Sequence, residues 1–163
     1  MKRNALFALM ISATLGLSAC AFQPLHGSQQ QISALRGITI AVDGQERIDQ
    51  MLTEALNDRF GTPSGGRYRL AAETSVTTSG LGVGADDVAT RSALSLSVDF
   101  SLVEVGSGSP VLTETVRTEA TFDIPLQPYA AVSARRDAEE RAAREAADRI
   151  ALRVARYINS GGQ

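Results

Sequence analysis

The sequence predicts an α/β fold, a two-layer sandwich with two helices packed on one face of a four-stranded mixed sheet in the order β-α-β-β-β-α. Three observations lead there. Stretches of strict apolar/polar alternation recur, with Leu94, Leu96, Val98, Phe100 and Leu102 set against Ser95, Ser97, Asp99 and Ser101 as the cleanest; a period of two marks half-buried strands. Two segments show apolar residues at helical spacing, near 45–60 and near 129–158. The strands carry polar residues on alternate positions, so the sheet has one covered and one solvated face, and both helices must lie on the covered one.

Taken in order, Ile38-Thr39-Ile40-Ala41-Val42 alternates and forms the first strand, and Asp43-Gly44 turns the chain. Ile48, Met51, Leu52, Ala55, Leu56 and Phe60 then form one helical stripe, stopped by Gly61 and Pro63. A one-sided stripe of this kind is core packing. Gly65-Gly66 opens the second strand. Tyr68, Leu70, Ala72, Thr74, Val76 and Thr78 share one face, while Arg67, Arg69, Glu73 and Thr77 take the other. Residues 79–87 read as a glycine-rich connection into the third strand. Gly106-Ser107-Gly108-Ser109-Pro110 makes a hairpin turn, and Leu112, Val116, Ala120 and Phe122 set the inner face of the fourth strand. Pro125 and Pro128 break it. In the final helix Ala142, Ala143, Ala146, Ala147, Ile150, Val154, Tyr157 and Ile158 form a stripe whose alanines permit close approach to the sheet. The four-residue pairs Glu140–Arg144, Arg141–Glu145, Arg144–Asp148 and Glu145–Arg149 read as a solvated outer surface. One helix between the first two strands lets them pair in parallel, and the next two connections make a meander. The position of the first strand at one edge or the other stays open.

The amino-terminal region is organised differently. Lys2 and Arg3 precede an apolar run from Ala5 to Leu17, followed by Leu17-Ser18-Ala19-Cys20. A basic start, a short apolar run and small residues define a secretory signal peptide, and about 13 apolar residues fall short of the roughly 20 that span a bilayer. The last four residues resemble the lipobox of bacterial lipoproteins. That resemblance implies cleavage before Cys20, lipidation of Cys20, and a membrane anchor too apolar to release. Such lipoproteins are held at the inner membrane by Asp after the cysteine. Ala21 stands there, which implies the outer membrane. The expected organisation is thus a signal peptide over 1–19, a lipidated tether over 20–36 and one α/β domain over 37–160.

The whole chain has 16 basic and 18 acidic residues, and processing removes two of the cations. An acidic domain is a poor general nucleic-acid binder. Lys2 is the sole lysine and Cys20 the sole cysteine, so no internal disulfide forms. Catalytic signals are missing. His26 is the single histidine, no His/Cys cluster has zinc spacing, no serine lies in GxSxG or SxxK, and Asp86-Asp87 lacks the EF-hand pattern. Gly80, Gly82 and Gly84 do not match a phosphate-loop spacing. The expectation is a non-enzymatic protein with no cofactor and no metal.

The lipobox, the stretch Cys20-Ala21-Phe22-Gln23-Pro24-Leu25-His26-Gly27, the element order and the long final helix together resemble the lipopolysaccharide-assembly lipoproteins, LptE, in their alphaproteobacterial form. Arg67-Tyr68-Arg69-Leu70, the stretch from Ala85 to Arg91, and Pro128-Tyr129-Ala130 leading to Asp137-Ala138 add to the likeness. Ala21 and His26 depart from the family's usual glycine and aromatic, both within the tether. The resemblance implies a lipid-anchored plug and assembly partner of the outer-membrane β-barrel lipopolysaccharide translocon, on the periplasmic face. It also implies contact with lipopolysaccharide, for which arginine is the best phosphate donor. Arg91, Arg67, Arg69 and Arg117 are the candidates, Arg91 foremost because it follows the glycine-rich segment. A different class, an auxiliary lipoprotein of a phospholipid-trafficking ABC system, would be expected to carry an apolar ligand groove.

Overall fold

Leucines, valines and a phenylalanine on alternate positions of three long strands meet the apolar stripes of two helices in one layer. The structure, a computed structural model, describes residues 35–44, 46–62, 65–83 and 89–161. The chain runs β1 (Thr39–Asp43), α1 (Glu46–Phe60), β2 (Tyr68–Val83), β3 (Ala89–Glu104), β4 (Pro110–Asp123) and α2 (Pro128–Asn159). The sheet order is β1-β2-β3-β4, with β1 parallel to β2 and the remaining pairs antiparallel. The open question of the first strand is thereby answered: it lies at the edge beside β2. The signal peptide, Cys20 and the tether up to residue 34 lie outside the described residues, while Leu35 already packs against the core.

The core unites Ile38, the α1 stripe of Ile48, Leu52, Leu56 and Phe60, the even-numbered residues Leu94 to Leu102 of β3, and the α2 stripe of Ala142, Ala143, Ala146, Ala147, Ile150 and Val154. Five fully buried alanines let α2 lie low on the sheet, and buried Thr118 donates its hydroxyl to the Ala142 carbonyl at 3.0 Å. Gly61, at φ 78°, closes α1 by donating its N–H to Asn57 at 2.8 Å. Gly66 N–H donates to the Gly37 carbonyl at 3.0 Å, pinning the start of β2 against the start of β1. Pro110 opens β4 at the sheet edge, where a missing N–H does no harm.

One expectation fails. Residues 79–83 belong to β2, not to the connection. Ser79 pairs with Ala93, Gly80 with Ser92 and Leu81 with Arg91. A glycine weakens a strand but still supplies both ladder groups, and the facing residues of β3 satisfy them here.

Candidate functional site

The strand directions give the sheet two unlike ends. The chain enters β1 at the end where β2 starts and the 106–109 turn sits. At the other end the β2–β3 ribbon extends from Ser79 and Thr90, and β4 hands over to α2. This second pole collects most of the exposed large apolar side chains among the described residues: Leu81, Ile124, Leu126, Tyr129 and Val132. Leu126 is 95% and Tyr129 91% exposed. Ile124 is tied to the ribbon by its N–H to Thr90 at 2.9 Å. Gln127 gives α2 no side-chain cap, and Pro128 starts it in the first turn. The buried residues of α2 begin only at Ala138, so its first ten residues stand beyond the core.

Charge accompanies this apolar surface. Arg91 sits across from Asp123 on β4 and donates to it at 3.0 Å, both side chains exposed. One turn beyond Val132, Arg135 donates to Glu139 at 3.0 Å, and Glu139 also accepts from Arg47 of α1 at 3.4 Å. Glu139 is the most buried charge here, and its two guanidinium partners are half exposed. Arg136 is exposed beside them.

The four arginines singled out from the sequence are not brought together. Arg67 lies at the opposite end, donating to Glu104 at 2.7 Å and resting over the Tyr68 ring at 5.5 Å. The Glu104 hydrogen bond raises its pKa further, with Tyr68 adding to it. The register puts Arg91 across from Leu81, about 45 Å from Arg67 at ~3.3 Å per strand residue. Arg69, Arg91 and Arg117 alternate onto the face that no helix covers. Serine, threonine and alanine dominate that face. A row of Asp43, Glu73 and Asp99 crosses it, one from each of three neighbouring strands, and Thr115 donates to Asp99. Sequence reasoning missed the apolar pole. The signal was present in the spacing of Ile124, Leu126, Tyr129 and Val132 outside the helical stripe.

Two surface hollows accompany these features, one of 560 Å³ over the Asp43–Glu73–Asp99 row and one of 440 Å³ between the helices at Glu54, Asp58, Arg59 and Glu140. Carboxylates stand in both, beside Ala41, Val42, Ala71 and Ala72 in the first. No group of metal-ligating side chains occurs among the described residues.

The family described as lipopolysaccharide-assembly, LptE, matches residues 35–154, which is the described domain almost from end to end. The chain belongs to the LptE family. It is accordingly a lipopolysaccharide-assembly lipoprotein of the outer membrane, in a family of assembly proteins and not of enzymes. A chain from Caulobacter crescentus CB15, described as a lipoprotein, is similar at 32% identity with a TM-score of 0.59, covering 81% of this chain and 95% of that one. The rare lipoprotein B of Shewanella oneidensis shares the fold at 14% identity, with a TM-score of 0.53 over 77% and 99% of the two chains. Lipoprotein B of Nitrosomonas europaea does so at 12% identity, with a TM-score of 0.58 over 83% and 92%. No curated protein sequence matches the chain.

Proposed function

We propose that this LptE member is anchored through Cys20 at the periplasmic face of the outer membrane, after removal of residues 1–19, with residues 20–36 as a tether. There it acts as plug and assembly partner of the β-barrel lipopolysaccharide translocon and assists insertion of lipopolysaccharide into the outer leaflet. The observation that carries this reading is the family match over residues 35–154. The uncovered sheet face supports it, since a surface of serine, threonine and scattered charge suits the wet lumen of a barrel. The carboxylate-bearing hollows do not favour a lipid-carrying ABC component, which needs an apolar chamber. Mild detergent extraction tests the choice. Co-purification with a very large β-barrel supports the plug, and recovery with inner-membrane ATPase subunits overturns it. Intact-mass measurement of the processed chain tests the anchor, and an unacylated Cys20 would remove it.

Within this reading Arg91 is the foremost lipopolysaccharide contact, ahead of Arg67, Arg69 and Arg117. It alone of the four adjoins the apolar pole, so one ligand could meet both a guanidinium and exposed side chains such as Leu81. Asp123 competes for the same guanidinium. Arg91→Ala should weaken lipopolysaccharide binding by about tenfold, the scale of one charge-assisted hydrogen bond. Asp123→Asn should strengthen it. Unchanged affinity in both variants would clear Arg91 of the role.

A further inference from the structure

Among the described residues, no strand lies beside the long outer edge of β4. Its sequence, Leu112-Thr113-Glu114-Thr115-Val116-Arg117-Thr118, is rich in β-branched residues, and such an edge is a template for another strand. Two arginines of α2 reach over it. Arg149 Nη1 donates to the Arg117 carbonyl at 2.7 Å, and Arg141 Nη2 donates to the Thr121 carbonyl at 3.0 Å. In an antiparallel pair, alternate residues turn their N–H and C=O away from the partner. Arg117 and Thr121 share that alternation, so the arginines occupy two of the acceptors an incoming strand would need.

The spacing is matched. Eight residues of helix separate Arg141 from Arg149, about 12 Å. Four residues of strand separate Arg117 from Thr121, about 13 Å. Each guanidinium is also held from behind by a carboxylate one turn earlier, Arg149 by Glu145 at 2.5 Å and Arg141 by Asp137. The side chain is thus fixed across the lane, some 4.8 Å from β4, in which a further strand would lie. Part of what reads in the sequence as a solvated charge run is committed to the sheet edge.

We propose that Arg141 and Arg149 are edge guards which keep β4 from pairing with the β4 of a second copy of this chain. That occupant follows from the edge itself. Two copies of one strand edge pair antiparallel about a twofold axis and close into a dimer, and a lipoprotein confined to a membrane surface meets its own copies at high local concentration. The role concerns what the surface excludes, so it stands apart from the translocon reading.

The test uses the full processed chain in detergent, as wild type, Arg149→Gln and the double variant Arg141→Gln with Arg149→Gln. Both positions are exposed on a helix, and glutamine keeps helix propensity nearly unchanged. Sedimentation should show the wild type monomeric and the double variant at least about tenfold more dimeric at equal concentration. Hydrogen exchange should become slower at the outward amides of Thr115, Arg117, Glu119 and Thr121 in the dimer. A double variant that stays monomeric overturns the proposal, as does a dimer without new protection in β4. Unfolding of Arg149→Gln alone would also overturn it, because the residue would then hold the fold together instead of guarding an edge.

Discussion

Leu96→Ala probes whether α2 seals the sheet as its alanine stripe implies. Leu96 is fully buried at the middle of β3, paired in register with Val76 and Thr118. The change removes three carbons, about 2.4 kcal/mol at ~0.8 kcal/mol per buried CH₂. A cavity term adds to this, because the α2 stripe is mostly alanine, whose methyl groups cannot swing into the gap. The total should be about 3–4 kcal/mol, lowering the Tm by roughly 10 °C for a domain of this size. Urea unfolding followed by far-ultraviolet circular dichroism gives the value directly, and an unchanged slope shows that the denatured state is unaffected. Leu81→Ala on the ribbon is the control. That side chain is 38% exposed and should cost less than about 1 kcal/mol. A loss at Leu96 below about 1.5 kcal/mol would match a core that repacks freely, and would refute the picture of a helix held close by small residues.

Further outcomes follow from individual contacts. Glu139→Leu should be neutral or stabilising in thermal melts, because Arg47 and Arg135 are half exposed and regain water, while the leucine fills a buried site; a loss above about 2 kcal/mol would show the ion cluster to be essential. Gly66→Ala should destabilise by about 1–3 kcal/mol, since an added Cβ would stand 2.5 Å from the Gly37 carbonyl oxygen, whereas Gly106→Ala meets nothing within 4 Å and should be near neutral. Asp148 has its pKa lowered by the hydrogen bond from Arg59, against a small opposing effect of burial. Its contribution is therefore present above the ordinary carboxylate range and lost as the pH falls through the lowered value. The carboxylate is 66% exposed, so Asp148→Asn should cost no more than about 0.5 kcal/mol at pH 7 and nothing once the pH lies below the lowered value, read from paired melts.

Most of the architecture was legible because the period of each apolar pattern is set by local geometry. The β3 alternation and the α2 alanine stripe each admit one secondary structure and one buried face, and the structure has both. The ribbon was not legible. Gly80, Gly82 and Gly84 read as a loop in isolation, and only the facing residues Ala89 to Ala93 make the segment up to Val83 a strand. Charge pairing was legible in part. Arg144 pairs with Glu140 and Arg149 with Glu145, as four-residue spacing implies. Arg141 turns back to Asp137, the other carboxylate four residues away, and Asp148 crosses to Arg59 of α1, because spacing alone does not choose between two helical carboxylates or foresee a cation from another element. The arginines were rightly noticed as a class, but no one-dimensional pattern shows that Arg67 and Arg91 stand at opposite ends of one strand pair.

That separation bears on how the proposed anchor and the exposed pole relate. β1 is parallel to β2, so the chain must enter the domain at the end where β2 begins. β2 then carries it about 50 Å at ~3.3 Å per residue to the ribbon. The point where the chain enters the domain and the surface of Leu81, Leu126 and Tyr129 therefore lie at opposite ends by strand direction alone, whatever the side chains. On the proposed reading, the end where the chain enters is held by Arg67–Glu104 and the glycine turn. The far end, with its uncapped helix start and unburied apolar residues, is left for a partner. Leu126→Ser with Tyr129→Ser distinguishes this from chance exposure. Both side chains are more than nine-tenths exposed, so the fold should keep its Tm within about 2 °C. Recovery of the barrel in detergent extracts should nevertheless fall, and full recovery would mean that the pole makes no contact in the assembly.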